Sequence, residues 1–553
     1  MGRRIATQPP RGGAGEPGLV IDSRARIEES YAAFLADESR YGPASCERIV
    51  LARSEEDVAR ALLDAAMAPS EVTVSGGRTG IVGGAVPKRG TLLSLVEMNR
   101  VLGVRALADG RFSVLAEPGV TIADLDDRLR QRRPVDDASA MAADGRAALA
   151  ALLAAPPLFY PPDPTEDTAH LGASVVTNAS GARSFRFGAT RAHVRRLRAV
   201  LASGEVVDVE RGTVFEEGGA FEIEALDGSL TRVPVPRYTP PSVKNAAGYY
   251  AAPGMDLVDL FVGSEGTLGV ITEVEVVLAP RPGAVLSALA FFPSDEEAVA
   301  FVRRARGDSP DGPPSPGVAP MALEFLDSRS LDFLRARKRE QGASSTIPEL
   351  PADAVAAVHF EQDFDEARLP EVYEAWEDTL SAYGSSMERT WGGMDDADLA
   401  RLKALRHGLP EEVNNAIARA KAVHPEIHKV GTDTAVPPEA LEGMLRLYGE
   451  SLRSAGLEYV VFGHIGDSHL HLNIIPRTPE ELRAAKSLAL RFAQHAVAVG
   501  GTVSGEHGIG KLKHEFLRMQ YGDDGILQMV AVKRALDPRG ILNRDVVFPE
   551  TLL

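Results

Sequence analysis

Three of the chain's twelve histidines lie within eight residues, in GHIGDSHLHLNI from Gly463 to Ile474. VVFGHI before Gly466 and HLHLNI after Ser468 suit strands, and Gly466-Asp467-Ser468 suits a turn between them. If the loop holds an even number of residues, His464 and His471 share one face of the hairpin with Asn473 beside them, because side chains alternate along a strand. A loop of Gly466 to His469 pairs the two histidines directly, Gly466-Asp467 alone sets them diagonally, and an odd loop separates them. Two imidazoles converging on one face begin a divalent metal site, which needs a third ligand, often a carboxylate. A hairpin whose histidines meet only solvent or each other is the competing reading.

VSGEHGIGK, from Val503 to Lys511, supplies a carboxylate and an imidazole side by side, Glu506 and His507, with glycines on both flanks. Gly505 to Lys511 also satisfies G-x-x-x-x-G-K, the opening of a phosphate-binding loop. Two residues oppose that reading: Leu512 replaces the hydroxyl that holds magnesium, and Glu506 places negative charge in the phosphate cradle.

Other segments must position these groups. SEEDVARALLDAAMA from Ser54 reads as a capped helix, with Val58, Ala61, Leu62, Ala65 and Ala66 on one apolar face. A strand, EVTV, follows it. Next comes VSGGRTGIVGGAVP, Val74 to Pro87, where five glycines in fourteen residues let the backbone approach a pyrophosphate and turn its N–H groups outward. It lacks G-x-G-x-x-G, so a Rossmann assignment is unsupported, and an ordinary Gly-rich turn is the alternative. A second cluster, YPPDPTEDTAHLGASVVTNASGARSFRFGAT, runs from Tyr160 to Thr190. A third joins VKNAAGYY at 243–250 to GSEGTLGVITEVEVV, a glycine turn that becomes a strand. APRPGA at 279–284 reads as a domain boundary.

The whole chain sets limits. Its 553 residues are enough for two or three domains, and a net charge of −18 argues against a nucleic-acid partner, which requires a concentrated basic surface. Cys46 is the sole cysteine, which excludes an intrachain disulfide and any zinc site of several thiolates and fits a reducing cytoplasm. AALAALLAA at 147–155 falls far short of the ~20 residues that cross a bilayer, so no transmembrane segment is expected, while peripheral membrane association stays open. The start, MGRRIATQPPRGG, lacks an apolar export segment, and Ala6 stands where myristoylation wants Ser or Thr. Residues 1–20 are expected to form a disordered tail.

Taken in order, the glycine loop, PPDP, TNASG and GSEGTLG resemble the FAD-binding domain of the vanillyl-alcohol oxidase and p-cresol methylhydroxylase (PCMH) superfamily over roughly residues 40 to 280. The chain most resembles the branch of FAD-linked D-2-hydroxy-acid dehydrogenases that includes the D-lactate, glycolate and D-2-hydroxyglutarate enzymes. The resemblance implies an α+β chain. A two-subdomain PCMH-type FAD-binding domain would span 21–280, and an α+β substrate (cap) domain with an antiparallel sheet would span 281–500. A partly helical segment, 501–553, would carry the catalytic loop back toward the flavin.

It also implies roles. The flavin would be lined by Ser75, Gly76, Gly77, Arg78, Thr79, Gly80, Gly83 and Gly84, then by Pro162, Asp163, Asn178, Ser180 and Gly181, and finally by Gly266, Gly269, Val270 and Ile271. His464, His471 and Glu506 would bind one divalent ion (zinc, manganese or iron), and His507 would be the catalytic base. Arg406, Lys429 and Asn473 would contact the substrate. FAD would be held non-covalently, because the loop from Ser75 to Val86 contains no histidine, cysteine or tyrosine for attachment; His170 is the nearby exception.

The chemistry requires such a set. Oxidising a 2-hydroxy acid removes the hydroxyl proton and the C2 hydrogen with its electron pair. A metal that chelates hydroxyl and carboxylate lowers the alcohol's pKa, and a neutral histidine accepts the proton near physiological pH. An electron-transfer flavoprotein, a quinone or a cytochrome, with oxygen the least favoured choice, would take the electrons, rather than NAD, and a homodimer is compatible with the sequence. The chain also departs from the resembled pattern. Ser468-His469 replaces the usual Gly-Asn of the turn, and the extra imidazole either extends the metal shell or caps the turn, the cap being the expectation. Arg78 replaces a small polar residue and could reach a phosphate or an acidic neighbour. Insertions lie near 132–156 and 212–241. A flavin-dependent ether-lipid synthase shares the FAD domain, and a non-catalytic flavin-binding protein is the other alternative; the His464, His471, Glu506 and His507 set argues against both.

Overall fold

Three of the five sheets among the described residues organise the chain. The computed structural model describes residues 2–13, 16–68 and 70–553, with the side chains of Asp396, Lys403, Arg406 and His407 excepted. The first sheet has four strands in the order Leu19–Ile21, Arg48–Leu51, Thr91–Ser94, Val72–Ser75. Its last three strands run parallel. The crossover between them is helix Glu55–Met67, whose N-terminal donor at Asp57 is capped by the Ser54 hydroxyl at 3.2 Å. The apolar face read from the sequence is buried at Val58, Ala61, Leu62 and Ala65.

The second sheet is antiparallel, in the order Val206–Glu210, Val194–Val200, Val270–Val277, Phe112–Ala116, Val101–Ala106. Val270–Val277 is its central strand, and all eight residues are buried. Both faces of that strand are covered, which is why β-branched residues occur at successive positions.

The third sheet has seven antiparallel strands and carries the histidine hairpin. Ala284–Phe292 and Ala356–Phe364 lie toward one end, Ala322–Leu326 next, then Tyr459–Gly463 and His471–Ile474, with Val430–Gly431 at the edge. Along Ala284–Phe292 the two-residue period sorts side chains onto two faces. Leu286, Ala288, Ala290 and Phe292 join one core, while Leu289 and Phe291 join another. Trp376 anchors the first core, fully buried and stacked on Phe360 with ring centroids 4.0 Å apart. Truncating such a residue to alanine costs about 3–5 kcal/mol.

Within the tail expected to be disordered, residues 4–8 instead pair with sheet edges. Arg4–Ala6 pairs in parallel with Ala220–Glu224, and Gln8 bridges Val206. Arg11 reaches the Glu55 and Glu273 carboxylates. Open sheet edges recruit the segment, and an edge is a tertiary feature that composition does not reveal.

The chain end closes the first sheet. Val72 bonds through its N–H to the Ile541 carbonyl at 2.8 Å, and Asn543 returns a bond to the Val72 carbonyl at 2.9 Å. Lys533, buried in helix His514–Leu536, fastens this segment by donating to the Thr267 and Leu542 carbonyls and to Asp537. No helix among the described residues is long and apolar enough to cross a membrane.

Candidate active site and cofactor cleft

Four stretches quoted from the sequence meet at the first two sheets. Beyond Ser75 the glycine loop turns back on itself, with Arg78 at φ 61° and Gly83 at φ 75°. A Cβ on Gly77 would press on His170 and one on Gly76 on Ala173, whereas at Gly80 and Gly84 it would meet nothing within 4 Å. Gly263 and Glu265 donate to the carbonyls of Val175 and Val176, which joins GSEGTLG to the helix before Asn178. Asn178 ends that helix in the left-handed conformation, and its side chain accepts from Arg191 N–H at 3.0 Å. Pro162 is buried, and Asp163 accepts from Arg183 N–H. Gly181 passes so close to Asp163 that a Cβ would overlap its carbonyl. Gly266, at φ 69°, faces Asn543, while Gly269 abuts Phe261 and leads into Val270 and Ile271.

The polar inventory of this cleft fits a phosphorylated cofactor. Oγ of Ser75, Ser174, Ser180 and Ser264, Nδ1 of His170 and Nη1 of Arg78 are buried without a hydrogen-bond partner in the protein. Buried donors of this kind are ordinarily satisfied, so a cluster of them marks where a polar ligand sits. Arg78 packs over the Phe34 ring at 4.4 Å instead of meeting an acidic neighbour, and burial lowers its pKa. Burial, and then the Arg78 charge, bring His170 down to about 4, so its imidazole is neutral.

The histidine hairpin is longer than either loop considered from sequence. Its last pair is Phe462 with His471, leaving residues 463–470 as the connection, an even number that includes a helical turn over Ile465–Asp467. Gly463, at φ 127°, allows the turn to close, since a Cβ there would strike the His471 ring at 2.8 Å. Arg306 clamps the turn from outside through Ser468 Oγ and the Gly466 carbonyl. His464 and His471 converge with ring centroids 5.5 Å apart.

Glu506 enters from the other loop. One of its oxygens lies 3.0 Å from His471 Nε2 and the other 3.2 Å from His464 Nε2. His469, expected to cap the turn, instead turns inward and is completely buried, its Nδ1 3.9 Å from Glu506. A Cβ on Gly505 would strike its ring at 2.7 Å, so the glycine beside Glu506 makes room for that imidazole. These four side chains form one group whose candidate ligand atoms lie within 4.8 Å of one another; Asp433, His471, Glu506 and His507 form another.

His507 sits at the more open side of the cluster, stacked on His471 with ring centroids 5.2 Å apart. The loop that carries it is docked on the cofactor cleft. Lys511 N–H donates to the Val82 carbonyl at 2.9 Å, and Glu265 accepts from the N–H groups of Ile509 and Gly510. Catalytic-loop and cofactor-loop candidates are thus bonded directly to one another.

Three partners had no distinctive signal in the sequence. Asp433 is buried and accepts from Ser504 Oγ, Lys513 Nζ, His469 Nε2 and the backbone of His507. Lys244, buried, reaches from VKNAAGYY to Glu506 at 2.9 Å and to Asp467 at 3.8 Å. Glu324 bonds His464 Nδ1. Lys244 lies inside the quoted VKNAAGYY, yet it is a single residue whose partner is remote in the chain.

Charge explains the balance of the cluster. Burial raises the Glu506 pKa, but Lys244, His464 and His469 outweigh it and hold the carboxylate well below its usual range. Burial opposes a charged His464, yet Glu324 and Glu506 push it up to about 9. Burial brings His469 down to about 3 and also lowers His471. In the protein alone, His464 and Lys244 therefore supply the positive charge that two buried glutamates need, the role a divalent ion would share.

The expected substrate contacts are more scattered. Asn473 is buried two residues beyond His471 and pairs with Gly431. Lys429 lies at the rim near Arg40. The residue as a whole is exposed, but crowding around its ammonium, and then the Arg40 charge, lower its pKa. Arg406 belongs to helix Asp396–Val423, and its side chain lies outside the described residues.

Comparison with known proteins identifies the two halves of the chain. Residues 46–142 and 140–210 match the FAD binding domain, and residues 281–547 match the C-terminal domain of FAD linked oxidases. The chain belongs to the FAD-linked oxidases. Members with similar sequences include a D-lactate dehydrogenase of Anaerostipes hadrus, 29% identical over 91% of this chain and 90% of that protein. The glycolate oxidase subunit GlcD of Bacillus subtilis is 26% identical over 91% of this chain and 89% of its own length. Among solved structures, 4-ethylphenol oxidase from Gulosibacter chungangensis superposes with a TM-score of 0.62 at 18% identity, covering 97% of this chain and 95% of that one. That likeness establishes the shared PCMH-type α+β fold. This FAD-linked oxidase is accordingly an oxidoreductase.

Proposed function

We propose that the chain oxidises a D-2-hydroxy acid to the 2-oxo acid, passing two electrons through FAD to an acceptor other than NAD. The observation that carries this reading is the loop Gly505–Lys511, which delivers Glu506 into the histidine cluster while bonding to the cofactor loop at Val82. Bound FAD would take the C2 hydrogen with its electron pair, and a divalent ion would polarise the substrate's hydroxyl and carboxylate.

The chain's own residues do the rest. His464, His471 and Glu506 hold the ion, with Glu324 fixing the His464 tautomer so that Nε2 faces inward. His507 accepts the hydroxyl proton. Its Nδ1, 3.2 Å from Asp433, carries the hydrogen, which leaves Nε2 as the basic atom. Lys244 balances the charge of Glu506 from the flavin side, where it also lies 3.4 Å from the Gly181 carbonyl. Asn473, Lys429 and Arg406 bind the substrate's polar groups, and a second carboxylate would suit Lys429 at the rim.

Fixing hydroxyl and carboxylate together allows only one enantiomer to turn its C2 hydrogen toward the flavin. Anaerobic mixing with a panel of D- and L-2-hydroxy acids tests the proposal. A D-acid should bleach the flavin and its mirror image should not; equal bleaching by both, or by neither across the panel, overturns it.

A further inference from the structure

We propose that His469 is a fourth protein ligand, completing a three-histidine, one-carboxylate site for a divalent ion of six-coordinate habit. The inference rests on the metal reading above and goes beyond it in the number of ligands and the kind of ion.

The argument begins with which nitrogen each ring has free. His464 is held at Nδ1 by Glu324, and His469 at Nε2 by Asp433 at 2.9 Å. Their other nitrogens, His464 Nε2 and His469 Nδ1, are buried, lack any hydrogen-bond partner, and face the same Glu506 oxygen at 3.2 and 3.9 Å. His469 Nδ1, an unsatisfied imidazole nitrogen buried against the same carboxylate oxygen that His464 Nε2 faces, is costly unless a cation takes its lone pair. His471 Nε2 completes the set, and the four ligand atoms all lie within 4.8 Å of one another. Carboxylates behind imidazoles, as Glu324 and Asp433 are here, are the usual outer support of metal-bound histidines.

The overlapping group of Asp433, His471, Glu506 and His507 is the weaker candidate. Asp433 already accepts from Ser504 Oγ, from Lys513 Nζ at 2.7 Å and from His469. A cation there would have to displace an ammonium from a carboxylate whose lone pairs are in use.

Four protein ligands leave no vacancy on a tetrahedral ion and two on an octahedral one. Two is the number that a hydroxyl and a neighbouring carboxylate require. The site therefore favours manganese, iron or cobalt over tetrahedral zinc.

The test uses the full chain loaded with FAD, stripped by a chelator and titrated with cobalt(II), manganese(II) or zinc(II) alone. Wild type should bind one ion per chain, with the weak cobalt absorption of six-coordination. His469→Asn keeps a donor for Asp433 and should weaken binding by at least ~100-fold, beyond what loss of an outer partner does, with unchanged FAD content. His464→Ala is the reference for loss of an accepted ligand. If wild type and His464→Ala behave alike, or neither binds, the metal reading itself fails. If His464→Ala loses the ion while His469→Asn binds at wild-type affinity, or if wild-type cobalt gives an intense tetrahedral spectrum, only the present inference fails. Should His469→Asn not fold, Gly505→Ala, which pushes the ring at 2.7 Å, takes its place and must weaken binding likewise.

Discussion

The carboxylate of Asp433 holds His507 twice, through the ring Nδ1 at 3.2 Å and the backbone N–H at 3.1 Å, both to the same oxygen. Those two contacts hold the imidazole in place with Nδ1 turned toward the carboxylate. Asp433→Asn should keep the shape but present a donor where an acceptor is needed. Flavin reduction by substrate should slow by ~10- to 100-fold with little change in the substrate concentration at half-saturation. Rapid-mixing kinetics on protein of matched FAD content checks this, and an unchanged limiting rate contradicts it.

His507→Asn removes the proposed base outright. Reduction should slow by ~10²- to 10⁴-fold while FAD and metal contents stay near wild type. If His507 only packs within its loop, the variant should lose stability yet reduce its flavin at the ordinary rate per folded molecule.

The cofactor should leave the protein intact on denaturation. Within the loop from Ser75 to Val86 there is no histidine, cysteine or tyrosine, and His170, pressed against Gly77, is neutral and buried. Yellow colour that remains with the precipitated polypeptide would point to His170 as an attachment site.

Glu265 ties the catalytic loop to the cofactor half, and burial raises its pKa to about 7 against the hydrogen bonds from Ile509 and Gly510. A carboxyl whose folded pKa exceeds its unfolded value stabilises the fold below about pH 4.5, and the contribution is lost as pH rises through 7. Wild type should therefore lose up to about 3 kcal/mol relative to Glu265→Gln between those limits. Denaturant unfolding of both proteins at pH 5 and pH 8 measures the difference; parallel behaviour would remove Glu265 from this role.

What could be read from the sequence follows from how local each feature is. The hairpin histidines, the Glu506-His507 pair and the glycine loop are short patterns, and each occupies a turn or strand end that its own residues specify. Asp433, Lys244 and Glu324 reach the same cluster from 73, 262 and 140 residues away in the chain, so no window of sequence contains both a residue and its partner. His469 was legible as an extra imidazole but not in its direction, which depends on Ala435 pairing beside it and on Gly505 leaving room. The tail failed for a related reason: its glycines, prolines and arginines resemble a solvated segment until the sheet edges that receive it exist.

The strand partnership between Val72 and the segment Ile541–Asn543 bears on how the protein is made. The sheet that presents the glycine loop takes its outer edge from a segment made long after it, Val74 and Asn543 being 469 residues apart in the chain. Asn543 also grips Val74 N–H and the Glu265 carbonyl, the two sides of the cleft. The nucleotide cradle therefore takes its final shape only after this distant segment has been made and docked, and flavin should load after that step. Shortening the chain before residue 540 should yield colourless protein even though every residue expected to line the flavin is still present.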